Sequence, residues 1–209
     1  RARVHLYHPP VEEPCPLPVV LDGKDYLKRA RLPEIVDNLT AQGRIPPLAL
    51  AMLDNGGPAR MVEYNCSGST LGLLATEVLP LAQRELNLLP SESGTWGILG
   101  ASMGGLMALY TGLRAPGIFR RVFSQSGAFR FGQHPSLVFD WVRANPTPPL
   151  QIFMDVGLYE WLLPANQDML ALLRERNFNV THHTYPGGHN YPAWANVLPR
   201  GLQALYPPA

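Results

Sequence analysis

The sequence predicts an α/β fold on a mostly parallel sheet, and three observations carry that expectation. Short apolar runs alternate with amphipathic stretches from one end of the chain to the other, the pattern of strands joined by crossover helices. The 22 prolines and 19 glycines are spread along the chain, so they punctuate short elements. A glycine-flanked serine, Gly100-Ala101-Ser102-Met103-Gly104, sits where an apolar strand hands over to an amphipathic helix, and the sheet of such a fold carries its chemistry at this kind of junction.

Ala2, Val4 and Leu6 alternate with Arg3, His5 and Tyr7, which predicts a half-buried peripheral strand. Residues 17–22 (LPVVLD) predict a second strand, ended by Gly23. A helix over 33–42 follows, with Pro33 near its first turn and Gly43 past its end. Residues 48–54 (LALAMLD) predict a third strand, closed by Asn55, Gly56 and Gly57. Within 70–87, Leu71, Leu74, Val78 and Leu86 share a helical face, and Pro80 is expected to kink or restart the helix. Strands near 95–99, 121–125, 150–156 and 180–185 and helices near 103–113, 166–176 and 192–205 complete the alternation, with Pro199 expected to interrupt the last helix. Residues 126–149 are a long irregular excursion with a helix at 136–144. Neither an internal repeat nor a linker divides the chain, so residues 1–209 read as a single domain.

Composition narrows the function. The chain is 46% hydrophobic and 16% charged, with a net charge of +1 and its charges interspersed. It has no basic stripe for nucleic acid, and no apolar run reaches the roughly eighteen residues of a membrane span. A cytoplasmic monomer or homodimer, with neither nucleic-acid nor membrane partner, is expected. The chain opens at Arg1 without methionine and already inside a strand, so a segment upstream is expected. Cys15 and Cys66 have neither CxxC spacing nor a histidine in a ligand pattern and read as two unrelated thiols; a disulfide between them would imply an oxidising compartment.

A nucleophilic serine must stand exposed at a sharp turn, in a strained backbone conformation. Glycines two positions away on either side relieve the crowding there. The helix that follows then points its free N–H groups and positive end at a developing oxyanion. Ser102 meets these demands. A serine hydroxyl needs a base, and the base an orienting acid, in the chain order serine, acid, histidine. Downstream lie His134, His182, His183 and His189. His189 falls in Pro186-Gly187-Gly188-His189-Asn190, between the last strand and last helix, at the sheet edge where the serine emerges. His182 and His183 lie inside a strand, where packing or surface roles are expected, and His134 is expected at the surface. A metal site from His182, His183 and His189 is disfavoured because no acidic or cysteine ligand stands at matching spacing. For the acid, Asp155 and Glu160 both follow from their place near the end of strand 150–156, with Glu160 favoured. Asp168 is assigned to the first turn of the next helix.

Six segments, LPVVLDGKDYL (17–27), VDNLTAQGRIPP (36–47), GILGASMGGLMALY (97–110), FSQSGAF (123–129), DVGLYEW (155–161) and PGGHNYPAW (186–194), together make a pattern that resembles the putative-esterase family of α/β-hydrolases, in its enterochelin (enterobactin) esterase-like branch. The resemblance implies an α/β-hydrolase fold with helices on both sheet faces and no large cap domain. It implies a cofactor-free and metal-free serine esterase for small-molecule esters of siderophore or aryl type. It assigns Ser102 as nucleophile, His189 as base and Glu160, at the acidic position of D-x-G-x-x-[ED], as acid. It places the oxyanion donors at the N–H groups of Met103 and Lys24; the residues alone do not choose between the turns at Gly23 and Asn55. Two departures stand out. Ala128-Phe129-Arg130-Phe131 replaces the family's small residue and paired large aromatics, and nothing represents the additional N-terminal domain that enterochelin-type enzymes commonly carry. Phe129, Phe131, Tyr159 and Trp161 are expected as aromatic pocket walls, with Arg60 and Arg130 receiving an anionic or phenolic group. An acyltransferase with the same triad, a non-catalytic binding protein of the same fold and a metallo-hydrolase are the competing classes.

Overall fold

In the computed structural model, which describes residues 3–208, the apolar runs become strands. In chain order they are β1 (Val4–Tyr7), β2 (Pro18–Leu21), β3 (Leu50–Leu53), β4 (Gly97–Ala101), β5 (Arg121–Gln125), β6 (Arg130–Phe131), β7 (His134–Pro135), β8 (Gln151–Gly157) and β9 (Asn179–Tyr185). Seven form one sheet in the order β1-β3-β2-β4-β5-β8-β9, and β6 and β7 pair separately. Among the described residues only β1 runs antiparallel in the large sheet, with Val4 opposite Leu53. Ala2, expected in the first strand, lies outside the described residues.

The helices are α1 (Gly23–Lys28), α2 (Leu32–Ala41), α3 (Arg60–Glu63), α4 (Gly68–Leu73), α5 (Leu79–Glu85), α6 (Met103–Arg114), α7 (Leu137–Ala144), α8 (Leu163–Glu175) and α9 (Tyr191–Leu205). Successive strand side chains point to opposite faces, and both faces are covered, which explains why the strands read as continuous apolar runs. Val19, Leu21, Ile98, Val122 and Ile152 pack on one side with Leu79, Leu106, Val138 and Met169. Val20, Met52, Leu99, Phe123 and Phe153 pack on the other with Tyr26, Val36, Trp194 and Leu198. Cys15 and Cys66 are free thiols, and no helix among the described residues is long and apolar enough to cross a membrane.

The two proline expectations end differently. Before Pro80 the backbone widens into a π-helical turn over Leu74–Val78, and α5 restarts with Pro80 in its first turn; a regular helix would press the ring on the carbonyl four residues back. Pro199 does not interrupt the last helix: α9 runs through it to Leu205. An internal proline costs about 3 kcal/mol, but Val197, Leu198, Leu202 and Leu205 are all buried, at roughly 1.5–3 kcal/mol each. Packing outweighs the local penalty. Asp168 is also displaced from its expected place, because α8 begins at Leu163 and leaves it in the second turn, paired with Arg130.

Candidate active site

Ser102 follows β4 directly and precedes the first residue of α6, with φ 59° and ψ −119°. Neighbouring segments hold this strained turn: the Ser102 N–H donates to the Gln125 carbonyl (2.8 Å), and the Ser102 carbonyl accepts from Leu106 and Ala128 N–H (3.0 Å each). Glycine is required at position 100, where a Cβ would lie 2.4 Å from the Gly104 carbonyl oxygen. The turn aims the Ser102 hydroxyl at His189, whose Nε2 lies 3.0 Å from Oγ.

His189 stands in the β9–α9 loop, just before Asn190, which caps α9 by accepting from Ala193 N–H (3.0 Å). Its ring lies between Trp161 (centroids 4.6 Å) and, edge-on, Trp194 (4.8 Å). Nδ1 lies 2.7 Å from Glu160 Oε2. Glu160 Oε1 accepts from Ser126 Oγ–H (2.7 Å), Gly157 N–H (2.9 Å) and Tyr185 O–H (3.3 Å). Burial works against the charge of Glu160, but hydrogen bonds from His189, Ser126 and Gly157 outweigh it and hold the carboxyl below its ordinary range. An ionised Glu160 only accepts, so Nδ1 carries the imidazole proton and Nε2 is left to accept from Ser102. An imidazole in that state can take the hydroxyl proton as Oγ attacks an electrophile.

The two loops that carry Glu160 and His189 are stitched together. Leu158 N–H donates to the Tyr185 carbonyl (2.9 Å) and Tyr159 N–H to that of Gly187 (3.1 Å). Their approach depends on Gly157, where a Cβ would sit 2.3 Å from the Gly187 oxygen. In front of Ser102 and His189 opens a recess of about 280 Å³, walled by Asn55, Arg29, Arg60 and Tyr191 among others. Arg60 is fixed there by Asp22, with Nε and Nη2 donating at 2.7 and 2.6 Å to its two oxygens.

Residues 1–205 match the family described as Putative esterase. The chain belongs to that family. The iron(III) enterobactin esterase of Escherichia coli K12 is 28% identical over 204 residues, covering 94% of this chain and 51% of its own length. That of Dickeya dadantii is 31% identical over 223 aligned positions, covering 97% and 51%. The crystal structure of the enterobactin esterase from Shigella flexneri in the presence of 2,3-dihydroxy-N-benzoyl-serine superimposes with a TM-score of 0.88 at 28% identity, over 98% of this chain and 55% of that one. The chain thus spans about half the length of the curated relatives it matches. A ferulic acid esterase, 17% identical with a TM-score of 0.79, shares the fold, which is α/β-hydrolase-like.

Not every expected residue of this putative-esterase chain reaches the site. Asp155, the competing acid, is fully buried, with Oδ2 accepting from Gln125 Nε2 (2.9 Å) and Oδ1 without a partner. Burial pushes its carboxyl well above the ordinary range, which favours the neutral acid there. Phe129 is not a pocket wall: it is fully buried in the core, because the chain turns back and lays its ring over Gly127. Arg130 instead pairs with Asp168 (2.9 Å) in a separate cavity of about 550 Å³ between α7 and α8. Phe131 is half-buried against the core. Tyr159 and Trp161 are 77% and 73% exposed, and of the two it is Trp161 whose ring meets His189. As the first residue of α6, Met103 has an N–H without an intrahelical acceptor. Lys24 N–H is taken up by Asp54 Oδ1 at 2.7 Å, because the turn after β2 faces the end of β3. His182 and His183 stay within β9. Sequence reasoning missed Ser126, Tyr191 and Trp194 as site residues; their signal was membership of the quoted segments that carry Gln125 and His189.

Proposed function

We propose that the chain is the catalytic domain of a serine esterase that cleaves carboxylic esters through an acyl-enzyme on Ser102. The 3.0 Å approach of Ser102 Oγ to a histidine itself held at 2.7 Å by a buried carboxylate carries this reading. His189 takes the Ser102 proton as Oγ attacks the ester carbonyl, and Glu160 orients the imidazole and stabilises its cation. The Met103 N–H and the positive end of α6 receive the oxyanion. Lys24 N–H joins them only on leaving Asp54. His189 then protonates the departing alcohol, and water repeats the sequence on the acyl-enzyme.

The relatives named enterobactin and salmochelin esterases support an ester of a catecholate siderophore as substrate. Trp161, exposed beside His189, suits an aryl group, and the recess wall offers the donors of Arg29 and Arg60, each already paired with an aspartate, Asp25 and Asp22. The test is a panel of catecholate-siderophore, feruloyl, acetyl and thioester substrates, with a fluorophosphonate probe of the serine. The parent protein is expected to label at Ser102 and to prefer the siderophore ester. Ser102→Ala should lose labelling and turnover, including that of a p-nitrophenyl ester. Near-normal turnover by purified Ser102→Ala would reject the assignment.

A further inference from the structure

A hydroxyl outside the Ser102, His189 and Glu160 constellation is wired into it. Ser126 follows β5 and is fully buried, with φ 47°, a left-handed conformation that a non-glycine residue seldom adopts. Its N–H is tied to the Asp155 carbonyl at 2.8 Å. Its Oγ has two partners: Trp194 Nε1 at 2.9 Å and Glu160 Oε1 at 2.7 Å. A hydroxyl owns one proton, an indole N–H can only donate, and an ionised carboxylate can only accept. The direction of both bonds is therefore forced. Trp194 occupies a lone pair of Ser126, and the single Ser126 proton is driven onto Glu160.

We propose that Ser126, oriented by Trp194, is a positioning residue that sets the rotamer and charge of Glu160 and, through it, the tautomer and aim of His189; this rests on the esterase reading above. Trp194 serves twice, because its ring also packs edge-on against His189. The backbone of the same residue anchors the other side of the relay: the Trp194 carbonyl accepts from Gln125 Nε2 at 3.1 Å. The titratable groups around the carboxylate are His189, the Tyr185 hydroxyl and, beyond them, Asp155, whose carboxyl burial raises. Among the side-chain donors to Oε1, Ser126 is closer than Tyr185, at 2.7 against 3.3 Å.

The experiment compares the parent chain with Ser126→Ala, Ser126→Gly, Trp194→Phe and the Ser126→Ala/Trp194→Phe pair on a p-nitrophenyl ester. Ser126→Gly guards against misfolding, since glycine accepts the positive φ without strain. Removing the hydroxyl should lower kcat about tenfold with little change in KM. It should also move the acid limb of the kcat/KM profile to higher pH, because a carboxylate with one donor fewer holds a proton more readily. Trp194→Phe keeps the ring on His189 and should cost less than Ser126→Ala. In the Ser126→Ala background it should cost almost nothing, since the indole N–H then has no hydroxyl to orient. An unchanged kcat and acid limb in both Ser126 variants would overturn the relay, as would a Trp194→Phe effect of equal size with and without the hydroxyl. Fluorophosphonate labelling of Ser102 in the parent separates the two ideas: a parent that fails to label sinks the esterase reading, whereas a labelled parent with indifferent Ser126 variants sinks only the relay.

Discussion

Two carboxyl groups five residues apart, Asp155 and Glu160, have opposite fates, and hydrogen-bond donors decide which. Both are buried. Glu160 collects Ser126, Gly157, Tyr185 and His189, enough to keep its charge in a site where charge is costly. Asp155 has one side-chain donor, Gln125, and burial raises its carboxyl, favouring the neutral acid. In the proposed reaction this difference separates the acid that orients His189 from a core residue. Glu160→Gln puts an amide where Nδ1 needs an acceptor and should lower kcat by about 10²–10⁴, with KM little changed. Asp155→Asn should leave kcat close to the parent value. A steady-state comparison of the two variants on one ester reads the outcome, and equal losses would refute the division of roles. Spacing along the chain left both carboxyl groups open, because it fixes the strand end and says nothing about how many donors converge there.

At the scale of elements, strand ends and loops do the positioning, and their legibility followed their physics. Strands buried on both faces wrote apolar runs into the sequence, and β5 and β8 lie within a residue of their expected bounds; the half-buried edge strand β9 does too, on a run of mostly β-branched and aromatic residues. The helix α1 has six residues and α3 four, too short to build a periodic stripe, and neither was legible. Yet α3 supplies Arg60 to the recess. Phe129 and Arg130 were misplaced for a related reason: their chemistry suits a pocket, but the path of residues 126–136 is set by the β6–β7 pairing and by Phe129 folding over Gly127. Gly157 is the most demanding of the loop positions. In Gly157→Ala the new methyl group would meet both the Gly187 oxygen (2.3 Å) and Glu160 Oε1 (2.7 Å), backbone and the carboxylate bonded to His189 at once. Overpacking of this kind costs about 1–3 kcal/mol, which a folded chain survives. The same shift parts Glu160 from His189, so kcat should fall more than tenfold in a protein that still melts cooperatively. Thermal melting beside ester turnover checks this, and a variant that loses stability while keeping kcat would show that the loops do not set the geometry.

Across the whole molecule, the sheet turns one buried proton into a pH-dependent stability. Asp155 shares its strand face with Phe153, inside the core formed with Tyr26, Tyr191 and Trp194. The native carboxyl is raised well above the ordinary value of 3.8, while the unfolded chain titrates near that value. At any pH between the two the native state holds a proton that the unfolded state has released, so stability falls as pH rises through that window. Glu160 works in the opposite sense. Its native carboxyl is depressed below 4.5, so its contribution is complete above that pH and fades as pH drops through the lower native value. From about pH 5 upward only the Asp155 slope remains of these two. Asp155→Asn removes that slope and retains an oxygen for Gln125. The stability of Asp155→Asn relative to the parent should therefore climb as pH rises above the ordinary carboxylate range and level off once the native carboxyl also ionises, measured by urea unfolding at a series of pH values. A difference that stays constant across the series would mean that Asp155 is already charged in the folded core, and Gln125 would then be holding an anion.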